Sequence, residues 1–177
     1  MIDQLKQIGF ERIVIVDDAD ENICAARELE KRLQGIQFEF YQRGDLLVAQ
    51  IPDRYQELDL ILTDRQMETN DAGLEVVEEA WKYHVPAFVC SGGYQHRNQP
   101  RLRIAPPVKG FILADGMIKD NPETWYQILE GIVNDATGEN GSFLQSVLRA
   151  KKAGAIVPDY VAAEMSRSVV QGYLDMP

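Results

Sequence analysis

The chain is poor in cysteine and has no long uninterrupted run of apolar residues. Its 2 cysteines, Cys24 and Cys90, lie among 177 residues. This count excludes a disulfide framework and a cysteine-based zinc site, and it is typical of a reducing compartment. The opening segment, MIDQLKQIGFER, lacks the apolar stretch of a signal peptide, and no segment has the length of a transmembrane helix. We therefore expect a cytoplasmic protein that does not associate with a membrane.

Positive charge is also in short supply. The 18 Lys and Arg residues stand against 28 Asp and Glu residues, and the formal net charge is -10. A field of this sign repels the phosphates of nucleic acid, so we do not expect a non-specific nucleic-acid-binding protein. The length, with 45% hydrophobic and 26% charged residues, is typical of one globular domain with a sizeable core.

Strand-like and helix-like segments alternate along most of the chain. The segments that resemble strands are 12–16, 36–41, 58–64, 86–91 and one after Gly110. Apolar residues at helical spacing occupy 20–34, 44–56, 73–83 and a segment that ends near 135. The last of these helices has Asn121 or Asp120 as its N-cap and Pro122 at its first position. Uninterrupted β-branched strands such as 12–16 suit a parallel sheet that is covered on both faces. The alternation predicts an α/β fold with a doubly wound five-stranded parallel sheet.

The composition changes after Gly138, where the sequence GENG interrupts the pattern. Residues 143–153 and 158–173 then read as two further helices. We therefore predict a main domain over residues 1–137 and a helical C-terminal extension over residues 138–177. The extension is expected to pack back on the domain or to form a homodimer contact. It is too short and too weakly basic for a DNA-binding output domain, so direct DNA binding is not expected.

Polar residues follow several of the strands at their carboxyl ends, where the site of a doubly wound sheet lies. They are Asp17 and Asp18 after the first strand, Asp64 after the third, Ser91 after the fourth, and Lys119 before the last helix. Two carboxylates about 4 Å apart repel by roughly 4 kcal/mol at an effective dielectric constant of about 20, so three together require a cation or shifted pKa values. Oxygen ligands favour Mg²⁺. A carboxylate can also attack phosphorus and form an aspartyl phosphate.

These segments resemble the receiver domains of two-component response regulators, in particular single-domain receivers of the chemotaxis-regulator type. The resemblance is carried by IVIVDD, LDLILTDRQM, VPAFVCSG and ADGMIKDNPETW, and it covers roughly residues 10–136. It implies a flavodoxin-like receiver fold in which Asp64 accepts a phosphoryl group in a Mg²⁺-dependent reaction. By the same resemblance, Ser91 and Lys119 bind the phosphoryl group.

The resemblance also implies the metal ligands and the partners. Asp17, Asp18, Asp64 and the backbone carbonyl of Gln66 would hold Mg²⁺. A histidine kinase, a phosphotransfer protein or a small donor such as acetyl phosphate would supply the phosphoryl group, and a downstream protein target would bind the phosphorylated form. Such a chain is a phosphoacceptor with self-catalysed dephosphorylation rather than an enzyme.

The sequence departs from the family pattern in three places. Glu68 stands where a proline usually follows the methionine at position 67, and one extra residue precedes Gly73. The segment between the fourth strand and Lys119 is longer than usual and contains three prolines. An alternative register makes GFIL the fifth strand, with Phe111 as the candidate switch aromatic and with no lysine at that strand's carboxyl end.

Two other functions are compatible with parts of the pattern. Asp18-Ala19-Asp20 after an apolar strand, followed by FVCS and a lysine, also resembles haloacid-dehalogenase-type phosphohydrolases. Asp18 would then be the nucleophile and Asp20 the acid/base, although this scheme leaves Asp64 without a role.

The third hypothesis is a pseudo-receiver, which is an interaction module that keeps the fold without phosphorylation. The unusual segment 92–119 supports this hypothesis, and the presence of Asp64 opposes it.

Overall fold

The computed structural model describes residues 1–91, 111–115, 118–138 and 141–157. Its elements in chain order are α1 (Ile2–Ile8), β1 (Arg12–Val16), α2 (Asp20–Arg32), β2 (Gln37–Tyr41), α3 (Gly44–Val48), α4 (Ile51–Arg54), β3 (Leu60–Thr63), α5 (Ala72–Lys82), β4 (Ala87–Ser91), β5 (Phe111–Asp115), α6 (Pro122–Thr137) and α7 (Gly141–Lys152). Within these residues, five strands form one parallel sheet in the order β2-β1-β3-β4-β5. This is the flavodoxin-like order of a doubly wound sheet, so the predicted fold class is confirmed.

Apolar residues cover both faces of the sheet, which explains its uninterrupted apolar strands. Ile13 and Ile15 of β1 pack with residues of α1, α2 and α6 on one face. Val14 and Val16 pack with residues of α3, α4 and α5 on the other face. All four side chains are fully buried, and burial of each one contributes about 1.5 to 3 kcal/mol. The core therefore has two layers, with the sheet between them.

The fifth strand adopts the alternative register. Residues 111–115 pair in parallel with β4, from Ala87 opposite Phe111 to Ser91 opposite Asp115. The expectation that this register leaves no lysine at the carboxyl end of β5 is wrong, because the connection to α6 brings Lys119 back to that end of the sheet. The side chains of Ser91 and Phe111, and the whole segment 92–110, lie outside the described residues.

Local sequence signals coincide with some of the helix boundaries. At the start of α6, Asn121 Oδ1 accepts a hydrogen bond from the backbone N–H of Glu123 at 3.0 Å, as the capping pattern predicts. The helix expected over 44–56 is divided into α3 and α4, and a proline lies in the first turn of α4. Helix α1, which is absent from the predicted elements, buries Leu5 and ends at Gly9 with φ 101°. No helix in the described ranges is long and apolar enough to cross a membrane.

The described part of the C-terminal extension packs on the main domain. On α7, Val147 joins the core on one face of the sheet and Leu148 joins the core on the other. The chain then continues along the main domain, where the Val157 backbone N–H donates to the Lys82 carbonyl at 2.7 Å. The predicted packing of the extension is thus observed for 141–157, while the helix predicted over 158–173 lies outside the described residues.

Candidate functional site

Asp17 and Asp64 lie directly after β1 and β3, where the sheet order changes direction. The Asp64 backbone N–H donates to the Val16 carbonyl at 2.7 Å, and the Asp17 N–H donates to the Tyr41 carbonyl at 3.0 Å. These bonds extend the parallel ladders by one residue, so the sheet itself fixes the backbone of both aspartates. In doubly wound sheets, this reversal opens a crevice at the carboxyl ends of the strands.

The ammonium group of Lys119 joins the two aspartates. Lys119 Nζ donates to Asp17 Oδ2 at 2.6 Å and also to Asp64 Oδ1. Only 6% of Lys119 and 1% of Asp17 are exposed. Burial alone would lower the pKa of Lys119, but Asp17 and Asp64 outweigh that effect and the pKa is raised. The lysine is therefore a fixed positive charge between two carboxylates.

Asp17 is held from its other side by α2. Its Oδ1 accepts hydrogen bonds from the Ala19 backbone N–H at 3.1 Å and from Asn22 Nδ2 at 2.9 Å. A buried carboxylate needs such donors, because desolvation of an unpaired charge is costly. Both carboxylate oxygens of Asp17 therefore accept hydrogen bonds, and the fixed carboxylate orients the ammonium group of Lys119. Sequence reasoning missed Asn22, whose signal is an amide in the first turn of the helix that follows the aspartates.

Asp18 is the exposed member of the acidic group. Burial raises its pKa, and the negative charges of Asp17 and Asp64 raise it further, against the opposing effect of Lys119. One ammonium thus faces three carboxylates. The surplus of negative charge makes this end of the sheet attractive to a cation.

The connection after Asp64 is tightly packed against the start of α5. The Gln66 backbone N–H donates to Asp64 Oδ2 at 3.0 Å. The Gly73 N–H donates to the Arg65 carbonyl at 3.1 Å. A Cβ atom on Gly73 would lie 1.8 Å from the Asp64 carbonyl oxygen, so only glycine fits this position without a backbone shift. Gly73 therefore allows α5 to begin against the residue that carries the carboxylate.

Two buried side chains lie close to this group. The indole Nε1 of Trp125 donates to the Lys119 backbone carbonyl at 2.7 Å, which fixes the backbone of the lysine. Cys90 in β4 is fully buried, and burial raises the pKa of its thiol to about 12. Its thiol stays protonated at neutral pH, so Cys90 contributes to packing rather than nucleophilic chemistry.

Five of the six predicted site residues lie in the described part of the structure, and for the sixth, Ser91, only the backbone is described. Asp17, Asp64 and Lys119 are in direct contact, Asp18 interacts with them electrostatically, and Gln66 is bonded to Asp64. The backbone of Ser91 ends β4. Within the described ranges, no group of three or more Asp, Glu, His or Cys side chains is arranged to hold a metal ion.

No protein-family model and no curated protein matches the sequence. The chain is similar to a solved structure of RcsB from Salmonella enterica serovar Typhimurium bound to promoter rprA in the presence of phosphomimetic BeF3−. The identity is 15%, 91% of each chain is covered and the TM-score is 0.43. For RcsB bound to promoter P1flhDC, also with BeF3−, the identity is 16%, the coverage is 96% of this chain and 95% of that chain, and the TM-score is 0.42. The roles of residues in this chain therefore rest on its own geometry.

Proposed function

We propose that this chain is a receiver of two-component signalling that accepts a phosphoryl group on Asp64. The observation that carries the proposal is the ammonium of Lys119 between Asp17 and Asp64, at the point where the sheet order reverses. Phosphoryl transfer depends mainly on positioning and on neutralisation of charge. A carboxylate nucleophile beside a fixed cation meets both needs.

The donor set at this site fits Mg²⁺. Asp18 and Asp64 offer carboxylate oxygens, Gln66 offers a backbone carbonyl, and Asp17 adds charge while its oxygens hold Lys119 and Asn22. Mg²⁺ usually takes one or two carboxylates and keeps several waters, so it does not require a complete protein cage. Burial is the main cause of the raised pKa of Asp18, and the negative charges of Asp17 and Asp64, which a divalent cation would offset, raise it further. The bound ion would neutralise charge on the transferred group.

The proposed reaction is a direct transfer to the Asp64 carboxylate. One Asp64 oxygen attacks phosphorus, and the bond between phosphorus and the donor's leaving group breaks. The leaving group departs with the electron pair, as acetate when acetyl phosphate is the donor or as a histidine side chain when a protein is. Lys119 then binds an oxygen of the phosphoryl group, as Ser91 does in the scheme that the family resemblance implies. The new charge at Asp64 would alter the loops that surround it, and a protein target would bind the altered surface.

The geometry favours this scheme over a hydrolase that uses Asp18. The buried lysine contacts Asp17 and Asp64, and Asp20, the acid/base of that scheme, accepts a hydrogen bond from Gln42. The hydrolase scheme gives Asp64 no role, although Asp64 and Asp17 both contact Lys119 in the described site. A histidine kinase or phosphotransfer protein is the donor that we propose in the cell, with the cytoplasm as the location.

Intact-mass spectrometry after incubation with acetyl phosphate, with and without Mg²⁺, tests the proposal. We expect one added phosphoryl group, mapped to Asp64, that is absent without Mg²⁺ and in Asp64→Asn. Asp20→Asn is the control and should be labelled as the wild type is. A label that maps to Asp18 would support the hydrolase. A folded protein with neither label nor Mg²⁺ binding would support the pseudo-receiver.

A further inference from the structure

Glu68 connects the segment that carries Asp64 to the start of α3. Its carboxylate accepts hydrogen bonds from the backbone N–H groups of Gly44 at 3.1 Å and Asp45 at 2.7 Å. Gly44 and Asp45 are the first residues of α3, and such N–H groups have no partner within their own helix. One ionised side chain thus satisfies two of these donors through charge-assisted bonds.

The residue before Glu68 contacts the same point from another side. A Cβ atom on Gly44 would lie 3.1 Å from Met67 Cε and 3.3 Å from the Ala72 carbonyl oxygen. The start of α3 is therefore in close contact with both the 67–68 segment and the start of α5. Packing alone does not select one hydrogen-bond partner. The two hydrogen bonds that Glu68 accepts therefore determine where the start of α3 lies against the 67–68 segment.

An arginine lies close to Glu68. Arg43 forms an ion pair with Asp45 at 2.5 Å. The hydrogen bonds that Arg43 donates to the Asp45 carboxylate are the main cause of the raised pKa of Arg43, and the charge of Glu68 adds to it. The carboxylate of Glu68 is thus near a cation as well as two backbone donors.

Only a short piece of chain separates Glu68 from the reacting group. The Gln66 N–H donates to Asp64 Oδ2 at 3.0 Å. In the proposed site, the carbonyl of the same residue would be the backbone ligand. Asp64 is fixed by the sheet at one end of this segment, and Glu68 is fixed by α3 at the other. Between them, the peptide that carries the Gln66 carbonyl is held through its Met67 N–H, which donates to the Thr69 carbonyl at 3.1 Å.

We infer that Glu68 is a positioning residue for the Mg²⁺ site: it holds segment 64–68 on α3 so that the Gln66 carbonyl faces the carboxylates. This inference rests on the proposed function. It also explains why glutamate can stand where the family pattern has proline, because two hydrogen bonds restrain a backbone that a proline ring would otherwise restrain.

Calorimetric titration with Mg²⁺ tests the inference on the full chain. We expect Glu68→Ala to weaken Mg²⁺ binding by about fivefold. This loss of affinity is smaller than is usual for residues that orient metal ligands, because Glu68 is exposed. Glu68→Gln should be intermediate, since its amide oxygen still accepts one bond. The matched control is Glu75→Ala, which removes an exposed glutamate of α5 and should bind Mg²⁺ as the wild type does.

Phosphorylation of the same variants separates positioning from general stability. At saturating Mg²⁺, Glu68→Ala should regain most of the wild-type rate, because Asp64 and Lys119 are unchanged. Equal Mg²⁺ affinity in Glu68→Ala and Glu75→Ala would overturn the inference, as would a lower melting temperature without any change in affinity. A folded wild type that neither binds Mg²⁺ nor is labelled would overturn the proposed function, and this inference with it.

Discussion

Two buried lysines contact aspartates at opposite ends of the same pair of strands. At the carboxyl ends of β1 and β3, Lys119 lies between Asp17 and Asp64. At the amino ends, Lys151 of α7 contacts Asp59, the residue before β3. The two lysines are similarly buried, at 6% and 5% exposure, but their surroundings differ in charge and in hydrogen bonding.

The amino-end arrangement is balanced. Lys151 Nζ donates to the Leu58 carbonyl at 2.6 Å and to Asp59 Oδ1 at 3.2 Å. Asp59 Oδ2 also accepts from the backbone N–H groups of Glu11 and Arg12, at 3.0 and 2.9 Å. One ammonium meets one carboxylate, and burial lowers the pKa of Lys151 despite the opposing effect of Asp59.

The carboxyl-end arrangement is unbalanced, since three carboxylates face one ammonium. The pKa of Lys119 is raised there, whereas that of Lys151 is lowered. A balanced buried pair stabilises the position of a helix and has no charge left for a ligand. An unbalanced group keeps negative charge that favours the binding of a cation or a charged reactant. The difference supports a structural role for the pair at the amino ends, and it agrees with the phosphoryl-accepting role proposed for the group at the carboxyl ends.

The largest effect on stability is expected for Asp59→Ala. This change leaves a buried ammonium and the backbone N–H groups of Glu11 and Arg12 without their carboxylate. We expect the free energy of unfolding to fall by about 3 kcal/mol. Urea unfolding followed by circular dichroism measures it. Asp53→Ala, at an exposed position of α4, should change the value by no more than about 0.5 kcal/mol. Equal losses in the two variants would contradict the structural role of the amino-end pair.

Lys119→Met should have its main effect on phosphorylation. Removal of the positive charge beside the attacking carboxylate should slow the labelling of Asp64 by acetyl phosphate by about 100-fold, the typical loss for one preorganised electrostatic contact. Initial rates from intact-mass spectrometry provide the measurement. The exposed Lys31→Met is the matched control and should keep the wild-type rate. A Lys119→Met rate within about twofold of the control would remove the lysine from the scheme.

The two lysines should also respond to alkaline pH in opposite directions. The pKa of Lys119 is raised above 10.5 by folding, so its contribution to stability is complete below 10.5 and is lost as the pH rises through the raised value. The pKa of Lys151 is lowered, so the folded state binds its proton less tightly and stability rises with pH up to 10.5. Unfolding free energies of wild type, Lys119→Met and Lys151→Met between about pH 8 and 11 measure both differences. Slopes of the same sign would refute the comparison.

The smallest effect is expected for Asp18→Asn. The pKa of Asp18 is raised in the folded state, so the ionised group costs stability once the pH exceeds that value. Without Mg²⁺, the variant should therefore be more stable than wild type at neutral pH by about 0.5 kcal/mol, the scale of an exposed charge interaction, and this gain should disappear on acidification. Added Mg²⁺ should reverse the order, because it stabilises only the wild type. Thermal unfolding with and without Mg²⁺ detects both signs.

The sequence was sufficient for the sheet and for the aspartates because both follow from local pattern. Asp17 and Asp64 end apolar strands, and parallel strands bring their carboxyl ends to one edge. The order of the motifs identifies Lys119, but the sequence does not determine the register of β5. In either register, a connection of several residues can bring a long side chain back to the carboxyl ends of the strands.

The contacts of Asn22, Glu68 and Lys151 were beyond the sequence for a different reason. Each forms hydrogen bonds with a group that is distant along the chain or on another element, and no periodicity encodes such a pairing. The extension was expected to pack on the domain or to form a homodimer contact, but no sequence pattern indicates that Lys151 anchors α7. Patterns predict elements and faces, while partners depend on how the elements finally meet.

The hydrogen bond from Trp125 to the Lys119 carbonyl gives the site an optical reporter. Indole emission depends on hydrogen bonding and on nearby charge, and both change if Lys119 moves. The other tryptophan of the chain, Trp81, packs beside His84 on the opposite face of the sheet. The variant Trp81→Phe therefore leaves Trp125 as the only source of tryptophan fluorescence. The fluorescence of an unlabelled chain can then follow occupancy of the carboxylate pocket in real time, without isotope or dye.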